Sequence, residues 1–460
     1  MKLKTLIRGL NVTVRGSKET EVLGISSDSR TLSYKSLFIA KKGARFDGTQ
    51  FIEQAVQAGA SCVVLDLFDP FLDTAQIIHP NPKEIEAKLA AAYYEHPSKH
   101  LFTVGVTGTK GKTTTTYLIK HLLDFHQEFA GLIGTIETIL KDHRFFSTLT
   151  THDVIFNQKC LKEMLQRGCR AAVLEVSSHG LDQGRVDEID FDLGVFTNLY
   201  PDHLDYHGTM EKYAEAKRLL FTKAKRGVFN ADSPWNIGKG MSFGIDRGDL
   251  RAEKIELGNE KSFFEVEGIP FEIPLVGRFN VYNALAAICV GVEKGFSLKS
   301  IAEGLKSFAG TPGRMQRIRN VFIDFAHTKE ALEQILSTLK DLAKGKLIVV
   351  FGCGGERPKE RRSGMAEAAE KWADLSIVTT DNPRREDPEQ IISEIVSFFK
   401  QKPLIEADRK KAIYKALSMA KAEDFVLIAG RGHEREQILS DRTLPFKDEE
   451  VVLEYFGEKR

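Results

Sequence analysis

Val104-Gly105-Val106-Thr107-Gly108-Thr109-Lys110-Gly111-Lys112-Thr113-Thr114-Thr115 decides the fold of this chain. An apolar run enters a glycine turn, a lysine follows, and hydroxyls open what the pattern predicts to be a helix. Glycines let backbone N–H groups converge and cradle a polyphosphate. The start of the helix adds the positive end of its dipole. Lys112 has the reach for the outer phosphates, and the Thr113 hydroxyl is a donor for Mg²⁺. The stretch departs from the strict G-x-x-x-x-G-K-[ST] spacing, because Val stands at 106. Gly-Lys-Thr-Thr at a helix start straight after an apolar strand still reads as a nucleoside triphosphate site rather than a bare turn. Its phosphate contacts are Gly108, Thr109, Lys110, Gly111, Lys112, Thr113 and Thr114.

Outward from the loop, strands and helices alternate. A strand over 102–106 leads in, and the helix behind the loop carries Leu118, Leu122 and Leu123 at helical spacing. The apolar runs 171–176 and 193–199 suit buried parallel strands, and each ends in polar residues. That is a doubly wound α/β sheet with its site at the carboxyl ends of the strands. Ahead of it, short strands (36–40, 62–65) mix with amphipathic helices (52–58, 85–94) until Pro97. Behind it, Ala309-Gly310-Thr311-Pro312-Gly313 marks a second boundary. Strands over 321–325, 346–351, 375–379 and 425–429 then alternate with helical stretches such as 331–342 and 388–400, a second, smaller doubly wound unit. Three α/β domains are expected, at 1–98, 99–312 and 313–460.

Composition narrows the class. Of 460 residues, 42% are hydrophobic and 28% charged, which are globular values. A formal net charge of +1 gives no broad basic field for nucleic acid or anionic lipid. The five cysteines are scattered and odd in number, so free thiols in a reducing cytoplasm are expected rather than disulfides or zinc. Met1-Lys2-Leu3-Lys4 has no apolar core behind it, and no apolar run approaches a membrane span. The expectation is a cytoplasmic protein without membrane insertion.

Polar residues gather at the predicted strand ends. Glu175 closes the strand over 171–176 and precedes Ser177-Ser178-His179-Gly180. An acid there is either a Mg²⁺ ligand or a solvated charge, and the residues alone leave both open. In Asp202-His203-Leu204-Asp205-Tyr206-His207-Gly208, two His and two Asp follow a buried strand, as in an active-site loop. Lys217 falls on a helix and, on the residue pattern alone, reads as an ordinary surface lysine. The last domain has four such strand ends: Asp324-Phe325-Ala326-His327-Thr328, Gly352-Cys353-Gly354-Gly355-Glu356-Arg357, Asp381-Asn382-Pro383-Arg384 and Gly430-Arg431-Gly432-His433-Glu434. Four on one sheet make a binding rim. Arg357 and Arg384 suit bidentate capture of carboxylates, where singly each would be a surface ion pair.

Together these motifs resemble the Mur ligases, ATP-dependent enzymes that add amino acids to the UDP-linked peptidoglycan precursor, and among them the members that add the third residue. The likeness spans nearly the whole chain. It includes the phosphate loop, the Asp202–Gly208 stretch quoted above, Ser27-Asp28-Ser29-Arg30, Gly277-Arg278-Phe279-Asn280-Val281-Tyr282-Asn283-Ala284 and Pro312-Gly313-Arg314-Met315. The resemblance implies a UDP-binding N-terminal domain, a central ATPase domain and a Rossmann-like C-terminal domain that takes the amino acid. It gives catalytic roles to Lys112, Glu175, His203 and Lys217, and gives Mg²⁺ to Thr113, Glu175 and His203. Asn280, Asn283 and Arg314 would contact adenosine, and Asp324 and His327 would reach the nucleotide. Lys217 occupies the position that is carbamylated in the family, which turns a cation into an anion able to hold a second Mg²⁺. Ser27, Ser29, Thr150, Thr151, Ser177, Gln183 and Arg185 resemble the residues that hold UDP-MurNAc-dipeptide.

Asp381-Asn382-Pro383-Arg384 is like the signature of relatives that add meso-diaminopimelate, with Arg357, Gly430 and Glu434 as the remaining contacts. Lysine-adding relatives lack the arginine. Diaminopimelate carries a second amino-acid head, so a guanidinium can bind its extra carboxylate, whereas lysine offers an ammonium that an arginine repels. Departures from the family pattern are Leu149 where some relatives place Asn, Ala44-Arg45-Phe46 in the UDP-binding block, Glu356 for Asp and Glu436 for an aromatic. The implied partners are small molecules only, and the implied state is a monomer. A lysine-adding relative, a folylpolyglutamate synthase and a non-catalytic nucleotide-binding regulator are the rival readings.

Overall fold

A computed structural model describes residues 1–43, 47–235 and 237–458; Ala44-Arg45-Phe46 lie outside the described residues. The chain divides into two compact units, Met1–Lys112 with Leu122–Ser242, and Thr113–His121 with Phe243–Arg460.

The first unit begins with a five-stranded sheet. Its order is Thr13–Arg15, Ala75–Ile78, Cys62–Leu65, Ser36–Ile39, Gly24–Ser26, with only the Thr13–Arg15 edge antiparallel. Ser36–Ile39 and Cys62–Leu65 are buried along their whole length. Their alternate side chains feed two cores, one around Leu37, Ile39 and Val64, the other around Phe38, Val63 and Leu65.

In the second sheet of this unit the strands run in the order Ala224–Asn230, Phe191–Phe196, Phe102–Thr107, Ala171–Glu175, Ala130–Ile133, Glu137–Leu140, His143–Phe146. The first five are parallel and the last two turn back as an antiparallel extension. Phe102–Thr107 has a parallel neighbour on either side, so its carboxyl end opens inside the sheet rather than at an edge. Gly105 on this strand allows a close approach: a Cβ there would stand 2.8 Å from Leu220 and Phe191. The helix Met210–Lys223 therefore packs directly on the strand, and this draws Lys217 to the phosphate loop.

The second unit holds an antiparallel sheet (Glu253–Leu257, Ser262–Val266, Ile269–Ile273) and a six-stranded sheet. The latter runs Gln316–Ile318, Val321–Asp324, Phe425–Ala429, Leu347–Phe351, Leu375–Val378, Leu404–Ile405, parallel except for the first pair. Its side chains alternate between two cores, as a period of two requires. Phe322, Val349, Phe351 and Leu427 pack with helices Lys329–Leu342, Glu360–Trp372 and Pro388–Ser397. Ile323, Ile348, Val350 and Ile428 pack with Arg409–Met419 and Asp448–Tyr455. The sheet is doubly wound, and the four polar strand ends read from the sequence lie on four neighbouring strands.

Candidate active site

The phosphate loop is built by its backbone. Gly108 has φ +150°, and a Cβ there would lie 1.9 Å from Thr197 Oγ1, so only glycine fits. The neighbouring strand end grips the loop. Thr109 N donates to Asn198 O at 2.9 Å, Lys110 N to Asn198 Oδ1 at 2.9 Å, and Thr197 Oγ1 to Lys110 O at 2.7 Å. Gly111 forms the left-handed cap of the helix Lys112–Phe125, where Thr113 and Thr114 are buried in the first turn. The Lys112 ammonium donates to Gly108 O at 2.9 Å and Thr109 O at 3.1 Å, so it folds over the loop.

Lys217 overturns its surface reading: it is 1% exposed. Its Nζ donates to Gly108 O at 2.9 Å and sits 4.5 Å from the centre of the Tyr213 ring. Burial, reinforced by Lys112, drives its ammonium well below the ordinary lysine range, although Asp202 pulls the other way. A desolvated lysine amine is a nucleophile, which is the chemistry carbamylation needs.

Asp202 and His203 stand beside these lysines. Burial opposes ionisation of Asp202, but Lys110 at 3.7 Å, His203 and Lys112 hold its carboxyl below the usual range. His203 adopts φ +54° at the start of the short helix Leu204–His207. Its imidazole is pushed down by burial, then by His179, Lys112 and Lys217, against the pull of Asp202. His179 lies 4.9 Å from His203 and 4.2 Å from Tyr206, ring centre to ring centre. The sequence reading quoted His179 and Tyr206 within polar strand ends but gave neither a role of its own.

Glu175 is 1% exposed and accepts from Thr135 N at 2.8 Å and Thr135 Oγ1 at 2.9 Å. A hard carboxylate at this strand end fits Mg²⁺, which takes one or two carboxylates together with substrate phosphates rather than a protein cage. Among the described residues no group of three or more His, Cys, Asp or Glu is arranged to hold a metal ion.

A continuous polar network joins most of the residues assigned to the UDP-linked substrate. Thr150 Oγ1 stands 3.1 Å from Thr135 Oγ1, and Thr151 Oγ1 donates to Glu175 O at 2.9 Å with Ser177 Oγ 3.1 Å away. Arg185 donates to Thr151 O and to Gln183 Oε1, both at 2.7 Å. Gln183 donates to the Tyr206 hydroxyl at 3.2 Å, and that hydroxyl to Asp182 at 2.6 Å. Ser27 and Ser29 belong to the N-terminal sheet region instead; Ser27 is half-buried and Ser29 donates to Gln54 Oε1 at 2.9 Å.

In the second unit, Asn280 and Asn283 are buried. Asn283 donates to Asn280 Oδ1 at 3.0 Å and accepts from Thr115 Oγ1 at 3.3 Å, while Asn280 donates to Val276 O at 2.9 Å. Arg314 lies 4.7 Å over the Phe325 ring, which also touches His327 at 4.5 Å and His433 at 5.0 Å. Asp324 accepts from Met315 N at 2.7 Å, fixing this turn. Arg314 Nε and His433 Nδ1 are buried without a hydrogen-bond partner. Burial, with Arg314, Arg435 and His327, pushes the His433 imidazole down to about 3. The π-faces and spare polar atoms suit a nucleobase; Phe325 and His433 were not among the expected residues.

The amino-acid rim lies at the remaining strand ends. Arg384, at φ +54°, donates from Nη1 to Gly355 O at 2.8 Å and Asn382 O at 3.4 Å. That leaves the Nη2 and Nε side of the guanidinium for a ligand. Pro383 holds its carbonyl against Gly355, where a Cβ would come within 2.0 Å of it. Asn382 donates from Nδ2 to Glu434 Oε2 at 2.7 Å. Gly430 has φ +109°, and a Cβ there would stand 2.7 Å from Asp381 Oδ2. Burial and Asp381 raise the Glu434 carboxyl above its ordinary value, against Arg431, Asn382 and Arg409. Beneath lie Arg409 and Asp448, paired at 2.7 Å with both side chains 0% exposed. Asp381, Glu434 and Asp448 all act electrostatically on Arg409 and Arg431, so acidic and basic groups are interleaved under the rim. Arg357 is exposed on the neighbouring loop.

The Mur ligase family catalytic domain matches residues 21–101, the Mur ligase middle domain 106–291, and the Mur ligase glutamate ligase domain 313–432. The UDP-N-acetylmuramoyl-L-alanyl-D-glutamate–2,6-diaminopimelate ligase of Chlamydia felis is 42% identical over 480 residues, covering 99% of each chain. The enzyme of the same name from Chlamydia pneumoniae is 42% identical over 478 residues, again covering 99% of each. A solved structure of a ligase of that name superposes with a TM-score of 0.72 at 31% identity, covering 99% of each chain.

Proposed function

The chain belongs to the Mur ligase family, and on that premise we propose that it joins meso-2,6-diaminopimelate to the D-Glu γ-carboxylate of UDP-MurNAc-L-Ala-D-Glu, converting ATP to ADP and phosphate. The relatives and the solved structure named above carry this activity in their names. The observation that carries the choice of amino acid is the Arg384–Glu434 rim. A half-free guanidinium and a carboxylate with one oxygen uncommitted, joined through Asn382, match a tail bearing both a carboxylate and an ammonium. Lysine would leave Arg384 without its anion and bring an ammonium toward it.

The substrate carboxylate attacks the γ-phosphorus of ATP. The bond to the β-phosphate oxygen breaks, ADP leaves, and an acyl phosphate remains. Lys112 offsets the negative charge that gathers on the phosphates. Mg²⁺, for which Thr113, Glu175 and His203 are the proposed residues, would add a Lewis acid there. The neutral amine of diaminopimelate then adds to the acyl carbon, and the tetrahedral intermediate expels phosphate to leave the amide. Thr150, Thr151, Ser177, Gln183 and Arg185 are assigned to the UDP-linked substrate, with Ser27 and Ser29 at its uridine end. Asn280, Asn283 and Arg314 are assigned to adenosine, and Asp324 and His327 to the nucleotide. Arg357, Asp381, Asn382, Pro383, Arg384, Gly430 and Glu434 are assigned to diaminopimelate. Lys217 is proposed to be carbamylated.

We keep the division into 1–98, 99–312 and 313–460, and propose a monomer in the cytoplasm. The five cysteines are free thiols, which fits a reducing compartment. Among the described residues no helix is long and apolar enough to cross a membrane. Phosphate release in the presence of ATP, Mg²⁺ and UDP-MurNAc-L-Ala-D-Glu tests the reading. Release should require meso-diaminopimelate, and release on folate instead would refute it.

A further inference from the structure

The segment from Asp381 to Arg384 has no regular structure, lying between the strand Leu375–Val378 and the helix Pro388–Ser397. A recognition loop of that kind needs outside support to hold its side chains within the tolerance that recognition demands. The support comes from Arg431 and a small hairpin, Glu436–Ile438 with Thr443–Pro445. Arg431 is 0% exposed. It donates from Nη1 to Asn382 Oδ1 at 3.2 Å, and from Nη2 to Glu436 O at 2.8 Å and Phe446 O at 3.3 Å, so it ties the loop to the start of the hairpin and to the residue just past its end. Ile438 N also donates to Asn382 Oδ1, at 2.9 Å.

These two donors fix the amide. An Asn side chain can present oxygen or nitrogen to a neighbour, and the hydrogen-bond network decides which. With two donors on its oxygen, Asn382 must turn Nδ2 to Glu434, and it does so at 2.7 Å. Only one oxygen of Glu434 is taken, and the other remains for an ammonium. The hairpin ties the rest of the loop as well. Gln437 Nε2 donates to Asp381 O at 2.8 Å, and Arg384 N donates to Ile438 O at 3.1 Å.

We infer that Arg431, acting through the hairpin Glu436–Pro445, is the positioning residue that orients Asn382 and Glu434 and so sets selectivity for an amino acid with a zwitterionic far end. The inference rests on the diaminopimelate reading of this site. Arg431 touches no substrate in this account; it acts through Asn382.

The test compares the wild type with R431M, R431K and Q437A in steady-state kinetics, varying each substrate in turn. R431M should raise the KM for diaminopimelate about tenfold or more, the scale of a lost hydrogen bond to a charged group, with the KM for ATP unchanged. R431K, whose ammonium can still donate to Asn382 Oδ1, should recover most of that affinity. Q437A, at a half-buried position of this largely exposed hairpin, should shift the same KM in the same direction by less. An unchanged diaminopimelate KM in folded R431M overturns the inference, as does a rise matched by the KM for ATP. If R431M does not fold, Q437A decides: an unchanged diaminopimelate KM there overturns it. A wild type that ignores diaminopimelate would refute the proposed function itself, before any variant is compared.

Discussion

The Nζ atom of Lys217 stands 2.9 Å from the carbonyl oxygen of Gly108, at the first turn of the phosphate loop. A buried amine in this position is poised to take up CO₂, and an arginine there would remain a cation at every accessible pH. Lys217→Arg should lower kcat about a hundredfold or more, the scale of losing one preorganised charge at a phosphoryl-transfer site. Wild-type activity should fall in CO₂-depleted buffer and return with bicarbonate, whereas the variant should be indifferent to both. A wild type equally active without CO₂ removes the carbamate from the account.

The pH dependence of diaminopimelate binding follows from Glu434. Its carboxyl is raised by burial and Asp381, so as pH falls it takes up a proton earlier than an exposed glutamate would. The protonated form cannot pair with an ammonium. The KM for diaminopimelate should therefore rise as pH drops through that raised value, while the ionised site above it binds fully. Glu434→Gln should bind weakly at all pH values and lose the dependence. A KM profile through the acid range checks this directly.

Arg384 offers one edge of its guanidinium to a ligand and commits the other to Gly355 and Asn382. Arg384→Ala should lose most activity with diaminopimelate, about a hundredfold in kcat/KM, while the KM values for ATP and the UDP-linked substrate stay put. Unchanged diaminopimelate kinetics would remove the assignment.

Much of this was legible in the chain. The phosphate loop sits where its glycines and apolar strand required, and the strand expected over 425–429 is Phe425–Ala429. Strong apolar runs bounded by polar ends leave little choice of structure. Lys217 was misread on pattern alone, although Tyr213, Ala214, Lys217 and Leu220 share one helix face and are all buried. A charge on such a face contradicts the expected polarity, and only the packing allowed by Gly105 explains it. The hairpin Glu436–Ile438 with Thr443–Pro445 was not foreseen, because three-residue strands that are largely exposed carry no periodicity. Arg409 and Asp448 lie 39 residues apart in sequence, and nothing local couples them.

That last pair makes a stability prediction. Both side chains are fully buried, and Arg409 also donates to Ala429 O at 3.0 Å. Asp448→Ala leaves a guanidinium without its counter-charge in the interior, so it should cost about 3–5 kcal/mol. Urea unfolding read by fluorescence measures it; a loss within about 0.5 kcal/mol, the scale of a neutral surface change, would contradict the burial argument.

The central claim is that one rim reads both charges of the far end of diaminopimelate. Its most direct test is a competition: equimolar meso-diaminopimelate and L-lysine, with ATP, Mg²⁺ and UDP-MurNAc-L-Ala-D-Glu, and the products weighed by mass spectrometry. The account predicts that the diaminopimelate adduct exceeds the lysine adduct by about 10⁴-fold, the discrimination open to a site whose buried polar groups would otherwise go unpaired. Comparable amounts of the two adducts would contradict it.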